Sequence, residues 1–228
     1  MLDGRDIDVQ ATGVRARGGF RYLQPQGDDP WLGILAGIST NDGGQAWRYF
    51  PENLMGKALV DYLSGAIKAG QASDATLVYG GNPHLFPYPH NEGQFQVYVP
   101  LKNATFAFQP DWPALTAEHR LNFINNGLWM RADKAMLGNV TASNLDAAIP
   151  DYAQEKLLID ADIKGPGKEV GPYFNTTPLK ESLGAALDSL QLDGDVSARL
   201  HLNIPLDGEM TTRKAMCACR IIACLSNR

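Results

Sequence analysis

The residues in this chain that could do acid–base or metal chemistry come in pairs at alternate positions. Asp160 and Asp162 form one such pair, and Asp193 and Asp195 another. On a strand, residues two apart share a face, so each pair could work as general acid and base or bind Ca²⁺. Strand outer faces also carry such charges routinely, and no partner residue completes a site. The four histidines, His84, His90, His119 and His201, form no metal-ligand pair. Gly165-Pro-Gly-Lys168 lacks the Walker spacing and the hydroxyl residue after the lysine, so it reads as a turn. No G-x-S-x-G elbow occurs. The residues give no catalytic site, no metal site and no cofactor.

Cys217, Cys219 and Cys224 all lie in the last dozen residues, at spacings that fit neither a redox pair nor a zinc site. Composition changes abruptly at Arg213. Back-translating from Thr212 onward and shifting the frame by two bases gives two short apolar-rich segments around an Asn-Asn turn, the pattern of a hairpin. The expectation is a genuine segment 1–212 followed by an out-of-frame tail, 213–228.

With 228 residues, 44% hydrophobic and 20% charged, the chain can build a sizeable core. A net charge of −5 without a basic run argues against a nucleic-acid partner. No apolar run approaches the roughly 20 residues of a membrane span. The start, MLDGRDIDVQ, is no signal peptide, so the sequence by itself carries no anchor or address.

The element that dominates is Leu190 to Leu206. Leu190, Leu192, Val196, Ala198, Leu200, Leu202 and Ile204 alternate with polar residues, the period of a strand with one apolar face. Phe95, Val97 and Val99 alternate likewise in Gln94–Leu101. Further strands are expected at 75–79, 104–108, 120–124, 128–132, 139–149 and 157–163, with a hairpin in 5–23. Helices are expected at 51–69, with a stripe of Met55, Leu59, Tyr62, Leu63, Ala66 and Ile67, and at 178–189. Trp31 to Ile38, interrupted by Gly33 and Gly37, reads as a short buried turn or helix. The sum is a mainly β chain with two or more short helices and an elongated, curved antiparallel sheet. No linker divides it.

The stretches AWRYFPENLMGKALVDYLSGAIKAGQASDATLVYGG, EGQFQVYVPLKNATFAFQPDWPAL, GLWMRADKAMLGNV, IPDYAQEKLLIDADIKGPGKEVGPYFNTTPLKESLGAAL and LQLDGDVSARLHLNIPLDGEM resemble the YhdP family of AsmA-like bacterial envelope proteins. The resemblance implies a long protein anchored in the inner membrane, crossing the periplasm as a groove-shaped β-sheet and moving phospholipid between the two membranes. This chain would be an internal fragment of it, with no catalytic motif. Phe95, Val97, Val99 and the apolar residues of the Leu190 strand would then line the groove and meet phospholipid acyl chains. The remainder of the full-length chain would be its partner; envelope partners stay unidentified. Two other readings remain open: a structural or partner-binding β module whose apolar face is packed core, and a periplasmic hydrolase using the aspartate pairs.

Overall fold

The computed structural model describes residues 1–50, 52, 56–107, 113–137, 139–177, 180, 184–189, 194–205 and 222–225. They form one antiparallel sheet whose strands lie side by side in chain order, β1 to β11. β1 is Leu2–Ala11, β2 Val14–Leu23, β3 Trp31–Thr40, β4 Ile67–Gly81 and β5 Gln94–Phe106. β6 is Leu115–Ile124, β7 Gly127–Leu137, β8 Val140–Ile149, β9 Lys156–Pro166, β10 Asp195–Pro205 and β11 Ile222–Leu225. The sheet is open, because β1 and β11 do not pair with each other. Among the described residues three α-helices interrupt the meander: α1 (Lys57–Ala66), α2 (Gly167–Asn175) and α3 (Ala185–Ser189). None of the described helices is long and apolar enough to cross a membrane.

Alternation dictates the sheet's two faces. In β9, Leu157, Ile159, Ala161 and Ile163 are buried while Lys156 and Lys164 are exposed. The register places β10 beside it, with Leu200 opposite Ala161 and Leu202 opposite Ile159, so the apolar face continues without a step. The same phase runs through Leu128 and Met130, Leu121 and Phe123, and Val97 and Val99 back to Leu77, Ile34, Phe20 and Ile7. A one-residue slip anywhere would turn a whole strand inside out, so the apolar pattern itself pins the register.

A line of bulges crosses the middle of the sheet. Register shifts fall between Gln71 and Thr76 in β4, Leu101 and Ala104 in β5, Ala117 and Arg120 in β6, and Ser143 and Asp146 in β8. Asn103 and Asn144 sit there at φ 49°, a left-handed conformation that asparagine tolerates better than most residues. Each extra residue bends its strand and increases the local twist, so an aligned row of them curls the sheet.

Three sequence expectations need correction. Trp31 to Ile38 is not a turn or helix but the body of β3. Gly33 and Gly37 occupy its outer face, where no apolar alternation is needed, while Leu32, Ile34, Ala36 and Ile38 keep the inner one. The first helix stops at Ala66, not Ala69: Ile67 caps it with its N–H on the Leu63 carbonyl, then pairs with Phe106 as a strand. Gly165 to Lys168 is no simple turn, since Pro166 ends β9 and Gly167 begins α2. Met55, Leu190 and Leu192, and residues 178, 179 and 181–183 of the expected 178–189 helix, lie outside the described residues.

Candidate functional site

The candidate site is the apolar face. Its outer counterpart carries cross-strand ion pairs. Asp160 stands 2.6 Å from His201 Nδ1, and Asp162 stands 3.6 Å from Arg199 and accepts from Asn144. Asp146, paired across from Asp160, accepts from Arg131 at 2.6 Å. These are solvated cross-strand pairs; His201 is 52% exposed, as its polar phase in the sequence implies. Asp195 is exposed at the start of β10, and Asp193 lies outside the described residues. Among the described residues no three acidic, histidine or cysteine side chains gather as a metal site. At the other end of the sheet Asp8 is bound by Arg15 at 2.6 Å and Arg17 at 2.9 Å, which together hold its carboxyl below the usual range. Exposed pairs contribute little to stability, so Arg131→Ala should lower the unfolding free energy by less than about 1 kcal/mol in urea titrations.

The apolar face changes character along the sheet. From β6 to β9 it is closed, and in β10 Val196, Leu200 and Leu202 are buried as well. Leu128, Leu157 and Leu202 are at most 1% exposed, and each such side chain contributes about 1.5–3 kcal/mol by leaving water. α1 contributes Leu63 and Ala66 to this core, and α2 contributes Val170 and Phe174. The hydrogen bond from Ala107 N–H to the Ala66 carbonyl ties the end of α1 beside β5. Propensity does not favour α2, which contains Gly171 and Pro172; burial of Val170 and Phe174 holds it.

Over β1 to β3 no residue of the face is fully buried. Phe20, Ile34, Ala36 and Ile38 are half-buried, and Val9 is 53% exposed. An open cavity of about 1230 Å³ spans this end. Ile7, Phe20, Ile34 and Tyr79 line it from the apolar face and Arg17, Arg21 and Trp31 from the charged one.

The described residues among the sequence-derived lining set fall on this one face, in two environments. Val97 and Val99 are half-buried and pack on the core, and Phe95 meets Phe86 edge-on at 5.1 Å. Val196, Leu200 and Leu202 are buried and Ala198 is half-buried. Leu200 and Leu202 share a void of about 20 Å³ with Tyr173 and Phe174 of α2. Ile204 pairs with Leu157 through the backbone.

Sequence reasoning missed His119. It faces the apolar side, 3% exposed, with its ring 6.0 Å from Phe106, and burial pushes its imidazole down to about 4. Its Nε2 has no hydrogen-bond partner among the described residues. The signal was available, since Leu115, Ala117, His119, Leu121 and Phe123 alternate without a break.

Comparison with known proteins bears on this face. No solved structure matches the chain. A curated relative, "Intermembrane phospholipid transporter YhdP" of Escherichia coli (strain K12), is 75% identical over 215 residues, 94% of this chain. The chain spans only 17% of that relative's length. The profile of the family described as "YhdP protein" matches residues 1–218. An open antiparallel sheet with one continuous apolar face is thus the form taken here by a member of the YhdP family, to which this chain belongs.

Proposed function

We propose that this chain is a section of a periplasm-spanning conduit that carries phospholipid between the inner and outer membranes, with no catalysis of its own. The observation that carries the reading is the apolar face, continuous from β1 to β10 and left uncovered over β1 to β3. An acyl chain crossing water gains about 0.8 kcal/mol for each CH₂ it buries, and a lengthwise apolar surface supplies that shelter without a deep specific pocket. Phe95, Val97, Val99, Val196, Ala198, Leu200, Leu202 and Ile204 belong to the same path, as do Leu190 and Leu192 by their phase in the sequence. The rest of the longer protein supplies the inner-membrane anchor and the continuation of the path.

A leucine-sized photo-crosslinker at Ile34 or at Leu35, in the full-length protein in cells with labelled phospholipid, tests this. Both positions are apolar, and Leu35, at 65% exposure, is the more accessible, but they point to opposite faces. Label at Ile34 and not at Leu35 is the expected result. Silence at Ile34 in a folded protein would overturn the reading. The structural β module would then stand, which the burial of the apolar face over β6 to β9 favours. We also propose that the polypeptide from about residue 213 is read out of frame; resequencing the DNA across codon 212 decides it.

A further inference from the structure

One rung of the apolar face is built from the smallest side chains. Ala104 pairs with Ala117, Ala117 with Ala135, and Ala135 with Ala142. Gly70 extends the row on β4, where an added Cβ would stand 3.4 Å from Ala104. Phe106 and Leu115 flank this lane on one side, Leu101 and His119 on the other. Strands lie about 4.8 Å apart, so the lane runs about 19 Å, against about 15 Å for the acyl layer of one leaflet in a roughly 30 Å hydrocarbon core.

His119 leans across it. Phe106 stands on the far side of the Ala104–Ala117 pair, yet the two rings meet at 6.0 Å. Of the other buried polar side chains among the described residues, Asn125 accepts from Phe95 N–H and the Thr177 hydroxyl donates to the Phe174 carbonyl, while the Tyr62 and Tyr88 hydroxyls, like His119 Nε2, have no hydrogen-bond partner. An orphaned polar atom in an apolar wall is costly, and native structures keep few of them. The neutral ring calls for a neutral acceptor, because a charged one would not enter such surroundings. In a diacyl lipid that acceptor is the ester carbonyl, which sits at the head of an acyl chain.

We propose that the lane is a trench for one acyl chain of a diacyl lipid, with His119 Nε2–H hydrogen-bonded to that chain's ester carbonyl, and that α1 and α2 roof the trench when it is empty. The inference rests on the phospholipid reading above. At its α2 end the roof leaves a void of about 20 Å³. The void beneath Tyr173 and Phe174, against Ala142, is lined only by apolar and aromatic residues; such a space stays dry and forfeits packing contacts.

The test loads the full-length protein from vesicles with phosphatidylglycerol carrying a diazirine in one chain, in its diacyl form or as the dialkyl ether, which lacks the carbonyls. Adducts are then mapped by mass spectrometry. On peptides spanning 101–121 and 128–147 the wild type should favour ester over ether about fivefold. His119→Phe should erase the preference, and His119→Gln, which keeps an N–H donor, should restore part of it. Equal labelling by ester and ether in the wild type, or a preference that survives His119→Phe, would overturn the role of His119. Adducts confined to β1–β3 would show a permanent roof and overturn the trench alone. No adducts on either region would sink the conduit reading with it.

Discussion

Replacing Tyr88 with alanine should lower the unfolding free energy by about 3–5 kcal/mol, the largest loss expected from a single side chain here. Tyr88 is fully buried although it lies in the loop between β4 and β5. Its backbone is left-handed, at φ 59°, which turns the ring inward to pack 5.7 Å from Tyr79 and 5.8 Å from Phe86. Two glycines make its slot: a Cβ at Gly93 would fall 2.6 Å from the ring, and one at Gly81 would fall 2.8 Å from the hydroxyl oxygen. The glycine backbone on one side of the slot cannot close on the space an alanine would leave, and the Tyr79 and Phe86 rings on the other would lose their partner. Urea denaturation of Tyr88→Ala beside Tyr88→Phe checks this. The phenylalanine variant keeps the ring and should stay within about 1 kcal/mol of the wild type. A loss under about 1 kcal/mol for the alanine variant would mean that the loop does not close this end of the face.

His119→Phe should make the protein more stable, and increasingly so in acid. At pH 7 the gain should be about 1 kcal/mol, from removal of a buried nitrogen without a partner. Burial lowers the folded pKa to about 4, against about 6.5 in the unfolded chain. Above about pH 6.5 both states are neutral and the histidine adds no pH dependence. As pH falls from about 6.5 toward 4, the unfolded chain binds a proton that the folded one refuses. Stability therefore drops, and the deficit levels off on the order of 3 kcal/mol below about pH 4. Urea midpoints for wild type and His119→Phe at pH 7, 5.5 and 4 should diverge in that order. Parallel curves would show that His119 is hydrated in the folded protein. A histidine that costs stability yet stands in the apolar face fits a residue kept for binding, the usual trade between stability and function.

Much of the sheet was legible. The alternation of Leu157 to Ile163 and of Val196 to Leu202 gave both the strands and their inner face, since burial of one face leaves no other register. β3 was hidden because Gly33 and Gly37 interrupt its period, and a glycine on an outer face carries no pattern. α2 was hidden by Gly167, Gly171 and Pro172, each of which argues locally against a helix; tertiary burial of Phe174 overrides them. The candidate face was legible as a set of residues sharing one side. Its division into an open end and a roofed one was not, because alternation is identical under helix, lipid or water.

The chain-order arrangement of the strands bears on how such a polypeptide can be made. In the described sheet each strand bonds only to the strands just before and after it in the sequence. Each loop closure therefore spans a single connection, and a new strand needs nothing that has not already been synthesised. The sheet can grow by addition at one edge, as repeat arrays do, with stability accruing through nearest-neighbour terms. A chain threaded through a pore from its N-terminus could fold behind the pore strand by strand, with each new strand pairing to the edge left by the one before it. An interruption late in the message would then cost the last strands and leave the earlier ones in place.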